Sequence, residues 1–131
     1  MNQNEGLKSD LARVRGLGSA KSGTGHWVGM HYTSLALVPL GVWFAFSMFI
    51  CIGTADYAAA RAWFQSPINS ALMILFILVG AHHAVSGLQV VVEDYIHAPF
   101  CKHAKIIGTR FLFAALAVLA TLSVLKIFLG L

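Results

Sequence analysis

Three long stretches of the chain contain no Asp, Glu, Lys or Arg: residues 22–55, 62–92 and 111–125. A helix needs about 20 apolar residues to cross the hydrocarbon core of a bilayer, and each stretch reaches that length with its apolar flanks. The pattern therefore predicts an all-α integral membrane protein with three transmembrane helices, at residues 32–53, 67–95 and 106–131.

A short segment with mixed side chains separates the first two stretches. The sequence "TADYAAARAWFQSP" is rich in alanine, and its aromatic residues Tyr57, Trp63 and Phe64 are spaced to meet lipid headgroups. It predicts a short interfacial helix. Ser66 followed by Pro67 is typical of an N-cap and a first helical residue, so we expect the second span to begin there.

Charge and composition agree with a membrane protein and also indicate its orientation in the membrane. The chain is 58% hydrophobic and 11% charged, far from the balance of a water-soluble domain. Its excess of basic residues indicates membrane topology and no nucleic-acid partner, because seven of the nine lie before the first span or near the start of the third. These seven are Lys8, Arg13, Arg15, Lys21, Lys102, Lys105 and Arg110.

The positive-inside rule then places the N-terminus in the cytoplasm and the C-terminus in the periplasm. Residues 1–25 are predicted to form a basic cytoplasmic segment, and residues 26–131 a membrane anchor domain that contacts lipid. The first 25 residues lack the apolar core of a secretory signal, and Glu5 and Asp10 are unusual in a mitochondrial targeting peptide. We therefore expect a multi-pass protein of the bacterial cytoplasmic membrane rather than the mitochondrial inner membrane.

Four residues of the second span share one helix face: His83, Gly87, Val90 and Asp94 fall within about 60° of arc. A neutral imidazole can be an axial ligand of haem iron, and a glycine one turn away gives a macrocycle clearance. His82 points about 100° away from this face. Alternatively, His83 hydrogen-bonds a neighbouring helix and Gly87 permits close packing, and the spacing leaves both possibilities open.

Asp94 and Tyr95 end the second span at the depth where the headgroup of a membrane quinone meets water. A tyrosine hydroxyl can donate to a quinone carbonyl, and a carboxylate can orient the ring or relay protons. The alternative is an ordinary acidic and aromatic pair at the end of a membrane helix.

The segment "HAVSGLQVVVEDY", residues 83–95, resembles the D-type membrane anchor subunit of succinate dehydrogenase (succinate:quinone oxidoreductase, complex II). In that family a histidine is followed by glycine after four residues and by Asp-Tyr after eleven and twelve. The segments "RVRGLGSAKSGTGHW" and "TSLALVPLGVWF" are similar to its alphaproteobacterial branch. The resemblance implies a haem b shared with a second, C-type anchor subunit, with His83 as the iron ligand and Gly87 beside it.

The resemblance also implies that Asp94 and Tyr95 adjoin a ubiquinone-reduction site, and that the chain has no catalytic residue of its own. Succinate would be oxidised on a flavoprotein subunit with FAD, and an iron–sulfur subunit would pass the electrons to the quinone. Family members commonly carry arginine in a context like "QRxTA" before the first span. This chain has His31 in that region, so His31, helped by His26, is expected to contact the haem propionates.

Three other functions remain open from the sequence. One is the anchor of a fumarate reductase or another b-type cytochrome, in which the soluble substrate is reduced. Another is a small structural or transport membrane protein without haem, whose histidines only join helices. The third is a membrane-bound signalling protein that uses the basic N-terminal segment, for which charge is the main support.

Overall fold

The computed structural model describes Leu11 and residues 23–131, and over residues 23–131 the chain forms four α-helices. Helix α1 spans Thr24–Phe46 and continues as a π-helical segment, Ser47–Ile52. Helix α2 spans Tyr57–Gln65, α3 spans Pro67–Tyr95 and α4 spans Pro99–Phe128. Most of the predicted basic segment 1–25 lies outside the described residues.

Three of these helical runs are long and apolar enough to cross a membrane: Thr24–Ile52, Pro67–Tyr95 and Pro99–Phe128. Helix α3 lies at the centre of the fold, since α1, α2 and α4 all pack against it. The short helix α2 also contacts the π-helical segment and α4. The predicted all-α, three-span fold with a short interfacial helix is confirmed.

The start of α3 agrees with its sequence signal. Ser66 has an extended backbone with ψ of 124°, and Pro67 takes the first helical position. A proline is favoured there because its missing N–H would have no partner inside the helix and its φ is already helical. The helix then runs to Tyr95, which is also the predicted end of the second span.

Two of the long helices begin before the predicted spans that they contain. Helix α1 begins at Thr24, before the expected span start at residue 32, and α4 begins at Pro99 rather than near residue 106. Ala98 has an extended backbone and Pro99 repeats the start signal of α3, so the connection between the two long helices is only residues 96–98. Lys102 and Lys105 therefore lie on the first turns of α4.

Few side chains are buried within residues 23–131. The buried apolar residues are Leu40, Met73, Ala117 and Val124, and the buried polar ones are Ser47, Ser70 and Ser86. Small residues at helix contacts allow backbones to approach closely, which is how helices pack when lipid removes most of the hydrophobic driving force. Large apolar side chains such as Leu35 and Val42 are exposed on the outer surface of α1 and suit contact with lipid or other subunits.

The interfacial helix α2 is held at both ends by side chains. The Asp56 carboxylate accepts a hydrogen bond from the Ala59 N–H at 2.8 Å, which caps the N-terminus. Asn69 Nδ2 donates to the Trp63 carbonyl at 3.1 Å, and the Ser70 hydroxyl donates to the Phe64 carbonyl. Carbonyls in the last turn of a helix have no partner within it, so α3 supplies the donors that the end of α2 requires.

Candidate functional site

His83 lies in the middle of α3, half-buried where this helix meets α1. Its Nδ1 atom is 2.9 Å from the Oγ1 atom of Thr33. The same hydroxyl lies 3.0 Å from the Gly29 carbonyl and 2.9 Å from the Met30 carbonyl of its own helix. The contact joins two helices through Nδ1 and leaves the other ring nitrogen, Nε2, outside this hydrogen bond.

Gly87 lies one turn after His83 on the same face of α3. A Cβ atom placed on Gly87 would have no neighbouring atom within 4 Å, so the space beside the helix is open in this chain. A neutral imidazole nitrogen next to such a space is a donor set that fits one axial position of a haem. The described residues contain no cluster of three or more His, Cys, Asp or Glu side chains able to hold a metal ion.

Asp94 and Tyr95 end α3, and both side chains are exposed, Tyr95 to 80%. They follow His83 by eleven and twelve residues, which is about 16 to 18 Å along the helix axis. Their neighbour Glu93 is tied to the protein: Gln89 Nε2 donates to its carboxylate at 2.7 Å, and Lys102 Nζ donates to its backbone carbonyl at 3.1 Å. Within residues 23–131, hydrogen bonds therefore hold Glu93 in place, while Asp94 and Tyr95 are exposed at the end of α3.

The two histidines of α1 lie on different faces. His31 is exposed; its Nδ1 donates to the Trp27 carbonyl at 2.8 Å, and its ring centroid is 3.9 Å from that of Trp27. It is two residues from Thr33, about 200° around the helix, and so faces away from His83. His26 precedes Thr33 by seven residues and shares its face. The structure therefore brings Thr33 to His83 but does not bring His31 there.

A cavity of about 550 Å³ lies between the first turns of α1, the middle of α3 and the middle of α4. The polar residues that line it are His26, His82, Ser86, Gln89 and Arg110, and Arg110 Nη2 donates to Gln89 Oε1 at 2.7 Å. His83, Asp94 and Tyr95 are not among its lining residues. The cavity therefore lies beside these three residues, and of the predicted site residues it includes only His26.

Sequence reasoning missed this second polar face of α3. The signal was present, because His82, Ser86, Gln89 and Glu93 follow one another at spacings of four, three and four residues, which is one helical stripe. The candidate site was predicted instead from the neighbouring stripe, which contains His83 and Asp94. Of the polar residues that line the cavity, only His26 was predicted to bind a cofactor.

Comparison with known proteins agrees with these features. The family model described as succinate dehydrogenase/fumarate reductase transmembrane subunit matches residues 5–125. The chain is 31% identical to the succinate dehydrogenase hydrophobic membrane anchor subunit of Paracoccus denitrificans, over 79% of this chain and 80% of that one. It is 29% identical to the subunit of the same name from Rickettsia bellii, over 87% of this chain and 90% of that one. With a match that covers nearly the whole chain and three helices able to span a membrane, the chain belongs to the family of succinate dehydrogenase/fumarate reductase transmembrane subunits.

Proposed function

We propose that the chain is a membrane anchor subunit of succinate dehydrogenase (complex II) that binds one face of a haem b through His83 and contributes Asp94 and Tyr95 to a ubiquinone-reduction site. The observation that carries the proposal is the position of His83. Its imidazole is fixed by Thr33 at the α1–α3 contact, with Nε2 outside that hydrogen bond and open space at Gly87. An anchor that supplies one axial ligand needs these three features together.

A histidine with a purely structural role would also make the interhelical hydrogen bond to Thr33. The two roles differ at two positions. A structural histidine would not use Nε2 to bind a ligand, and a glycine that serves close helix packing would have atoms of another helix beside it. No atom lies within 4 Å of the Cβ position of Gly87. The space leaves room for a macrocycle beside His83, and a haem bound at this position would supply one-electron chemistry.

Asp94 and Tyr95 are proposed to act on the quinone headgroup. The Tyr95 hydroxyl can donate a hydrogen bond to a quinone carbonyl, and the Asp94 carboxylate can hold the proton that the reduced oxygen takes up. Both are exposed in this chain, so other walls are needed to enclose a quinone. We propose that the second anchor subunit and the iron–sulfur subunit form these walls, and that FAD and the iron–sulfur clusters belong to partner subunits.

The two α1 histidines are unequal candidates for the haem propionates. His26 lies on the face of α1 that meets His83, about 10 Å nearer the N-terminus, whereas His31 lies on the opposite face. We therefore favour His26 over His31 for this contact. The role predicted for His31 would require a partner chain to hold a haem propionate at the face of α1 that points away from His83.

We further propose that the chain crosses the bacterial cytoplasmic membrane with its N-terminus in the cytoplasm. Lys102, Lys105 and Arg110 occupy the same end of the helix bundle as Asp94 and Tyr95, so the quinone site would face the cytoplasmic side. Relatives named as succinate dehydrogenase subunits favour succinate oxidation over fumarate reduction as the direction of the assembled enzyme.

Absorbance spectra of the purified complex test the proposal. We expect the wild-type complex to show a b-type band on reduction, His83→Ala to lose it, and His82→Ala to retain it. His82 is the matched control because it is the adjacent histidine of the same helix and points about 100° away. A fully assembled wild-type complex without the band would contradict the proposal, and so would a band that survives His83→Ala.

A further inference from the structure

Thr33 contacts His83 through a hydroxyl group, which can form only a limited number of hydrogen bonds at the same time. Three polar atoms lie within 3.0 Å of its Oγ1: the carbonyl oxygens of Gly29 and Met30, which can only accept, and His83 Nδ1, which can donate or accept. A hydroxyl has one proton to donate but can accept through two lone pairs. All the contacts are satisfied together when Thr33 donates to its own helix and His83 donates from a protonated Nδ1 to Oγ1.

This arrangement assigns the tautomer of His83. A neutral imidazole with its proton on Nδ1 has its lone pair on Nε2, the nitrogen left for a metal. The opposite tautomer would place the proton on Nε2 and block coordination. Histidines that bind metals nearly always donate their other N–H to an oxygen nearby, which fixes both the tautomer and the rotation of the ring.

We infer that Thr33 is a positioning residue for the haem: it holds His83 in the tautomer and orientation that coordinate iron, and it adjusts the strength of the ligand. The inference rests on the proposed role of His83 as an axial ligand. Accepting a hydrogen bond from Nδ1–H makes the imidazole a stronger donor, which stabilises ferric iron more than ferrous iron. Loss of the Thr33 hydroxyl therefore raises the midpoint potential of the haem.

The chain supplies a matched control one residue away. Ser34 Oγ donates to the Met30 carbonyl at 2.8 Å, the same kind of bond that Thr33 makes to its own helix, but Ser34 is exposed on another face of α1. Ser34→Ala removes only such a bond. Thr33→Val removes the bond to His83 as well while keeping the shape of the side chain, and Thr33→Ser keeps the hydroxyl.

The test is a redox titration of the b-type band, with haem content per complex, in the complete complex carrying each variant. We expect Thr33→Val to raise the midpoint potential and to weaken haem binding about 10- to 100-fold, the usual effect of losing the partner of a metal-binding histidine. Each tenfold change in the ratio of ferric to ferrous affinity equals about 59 mV for one electron. Thr33→Ser and Ser34→Ala should keep the wild-type values.

An unchanged potential and haem content in Thr33→Val would overturn the inference, while loss of the band in His83→Ala would leave the proposed function standing. Survival of the band in His83→Ala would contradict both the proposed function and the inference about Thr33. If Thr33→Val assembles poorly, Thr33→Ala provides the second variant, because it deletes the hydroxyl without filling the α1–α3 contact. The same upward shift is expected from it, and an unshifted potential in Thr33→Ala also overturns the inference.

Discussion

At the scale of single residues, the imidazole of His83 is the group whose position needs an explanation. A polar group inside a lipid-spanning helix is costly unless both of its hydrogen-bonding atoms are satisfied. Thr33 satisfies Nδ1. Coordination to iron would satisfy Nε2, so the proposed haem explains why a half-buried histidine is stable at this depth.

The open space at Gly87 gives the first residue-scale prediction. Gly87→Leu should abolish haem binding, because its side chain fills the space beside His83, whereas Gly87→Ala should keep more haem because it adds one methyl group. Haem content per purified complex is the measurement.

Gly108→Leu is the control for Gly87→Leu. A Cβ on Gly108 also meets no atom within 4 Å, but this glycine lies on α4, away from His83. Equal haem loss in both leucine variants would show that any bulky residue on these helices disturbs assembly, and would contradict a specific role for Gly87.

Asp94 gives the second residue-scale prediction. Asp94→Asn should lower succinate-dependent ubiquinone reduction by about 10²-fold or more, because the amide cannot hold the proton that quinone reduction requires. Succinate oxidation measured with a soluble artificial electron acceptor should stay at the wild-type rate, since that reaction bypasses the quinone site.

Glu93→Gln is the matched control, because Glu93 is the adjacent acid and is hydrogen-bonded to Gln89. We expect it to reduce ubiquinone at close to the wild-type rate. A wild-type rate of ubiquinone reduction in Asp94→Asn would rule out proton transfer by Asp94.

The sequence indicated His83 as a candidate but could not indicate Thr33. His83 stands out because a titratable residue interrupts a long apolar stretch with glycine one turn away. Its contact with Thr33 joins residues 50 positions apart, and nothing in the spacing along one helix specifies which face of another helix it meets. His31 was predicted near the haem from the resemblance, and since its face of α1 is opposite to the one that packs on α3, its role stays a prediction.

At the scale of helices, a proline marks the start of both α3 and α4. Pro67 after Ser66 gave the start of α3 correctly. Pro99 gives the same signal for α4, but Lys102 and Lys105 follow it, and basic residues near a helix N-terminus oppose the helix dipole. The third span was predicted from residue 106 because Pro99 and Lys102 were expected to lie in a cytoplasmic loop, whereas the long lysine side chains can extend to water from the first turns of the helix.

The π-helical segment gives the prediction at this scale. The Gly53 N–H donates to the Met48 carbonyl at 2.7 Å, and a Cβ on Gly53 would lie 2.8 Å from that same oxygen. Gly53→Ala should therefore destabilise the complex, because backbone must shift to admit the methyl group. A lower thermal unfolding midpoint in detergent is the expected result.

Gly41→Ala is the control for Gly53→Ala. Gly41 lies in the regular part of α1 with no atom within 4 Å of its Cβ position, and alanine is favoured over glycine there by about 0.5–1 kcal/mol. The two substitutions should change the midpoint in opposite directions. A shift of the same sign and size in both would show that the close approach at Gly53 is unimportant.

At the scale of the whole molecule, the two cysteines can be used to determine which end of the helix bundle faces which side of the membrane. Cys51 lies in the π-helical segment after α1 and Cys101 on the first turn of α4, and both are exposed with free thiols. One membrane crossing, α3, separates these two ends of the bundle. They are native probes of opposite membrane surfaces.

With the N-terminus in the cytoplasm, a membrane-impermeant maleimide added to cells with a permeable outer membrane should label Cys51 alone. Cys101 should react only after the inner membrane is disrupted. Cys51→Ala and Cys101→Ala variants identify which thiol carries the label. Labelling of Cys101 in intact cells would reverse the proposed orientation and move the quinone site to the periplasmic side.

The small number of buried side chains affects how many copies of the chain persist in the cell without their partner subunits. Four apolar residues form the core of the described part, so a copy synthesised in excess of its partners has little internal packing to protect it. Such orphan copies should be recognised and degraded by membrane proteases, and the amount that persists should follow the supply of the other subunits. Subunit stoichiometry would then be set by turnover as well as by synthesis.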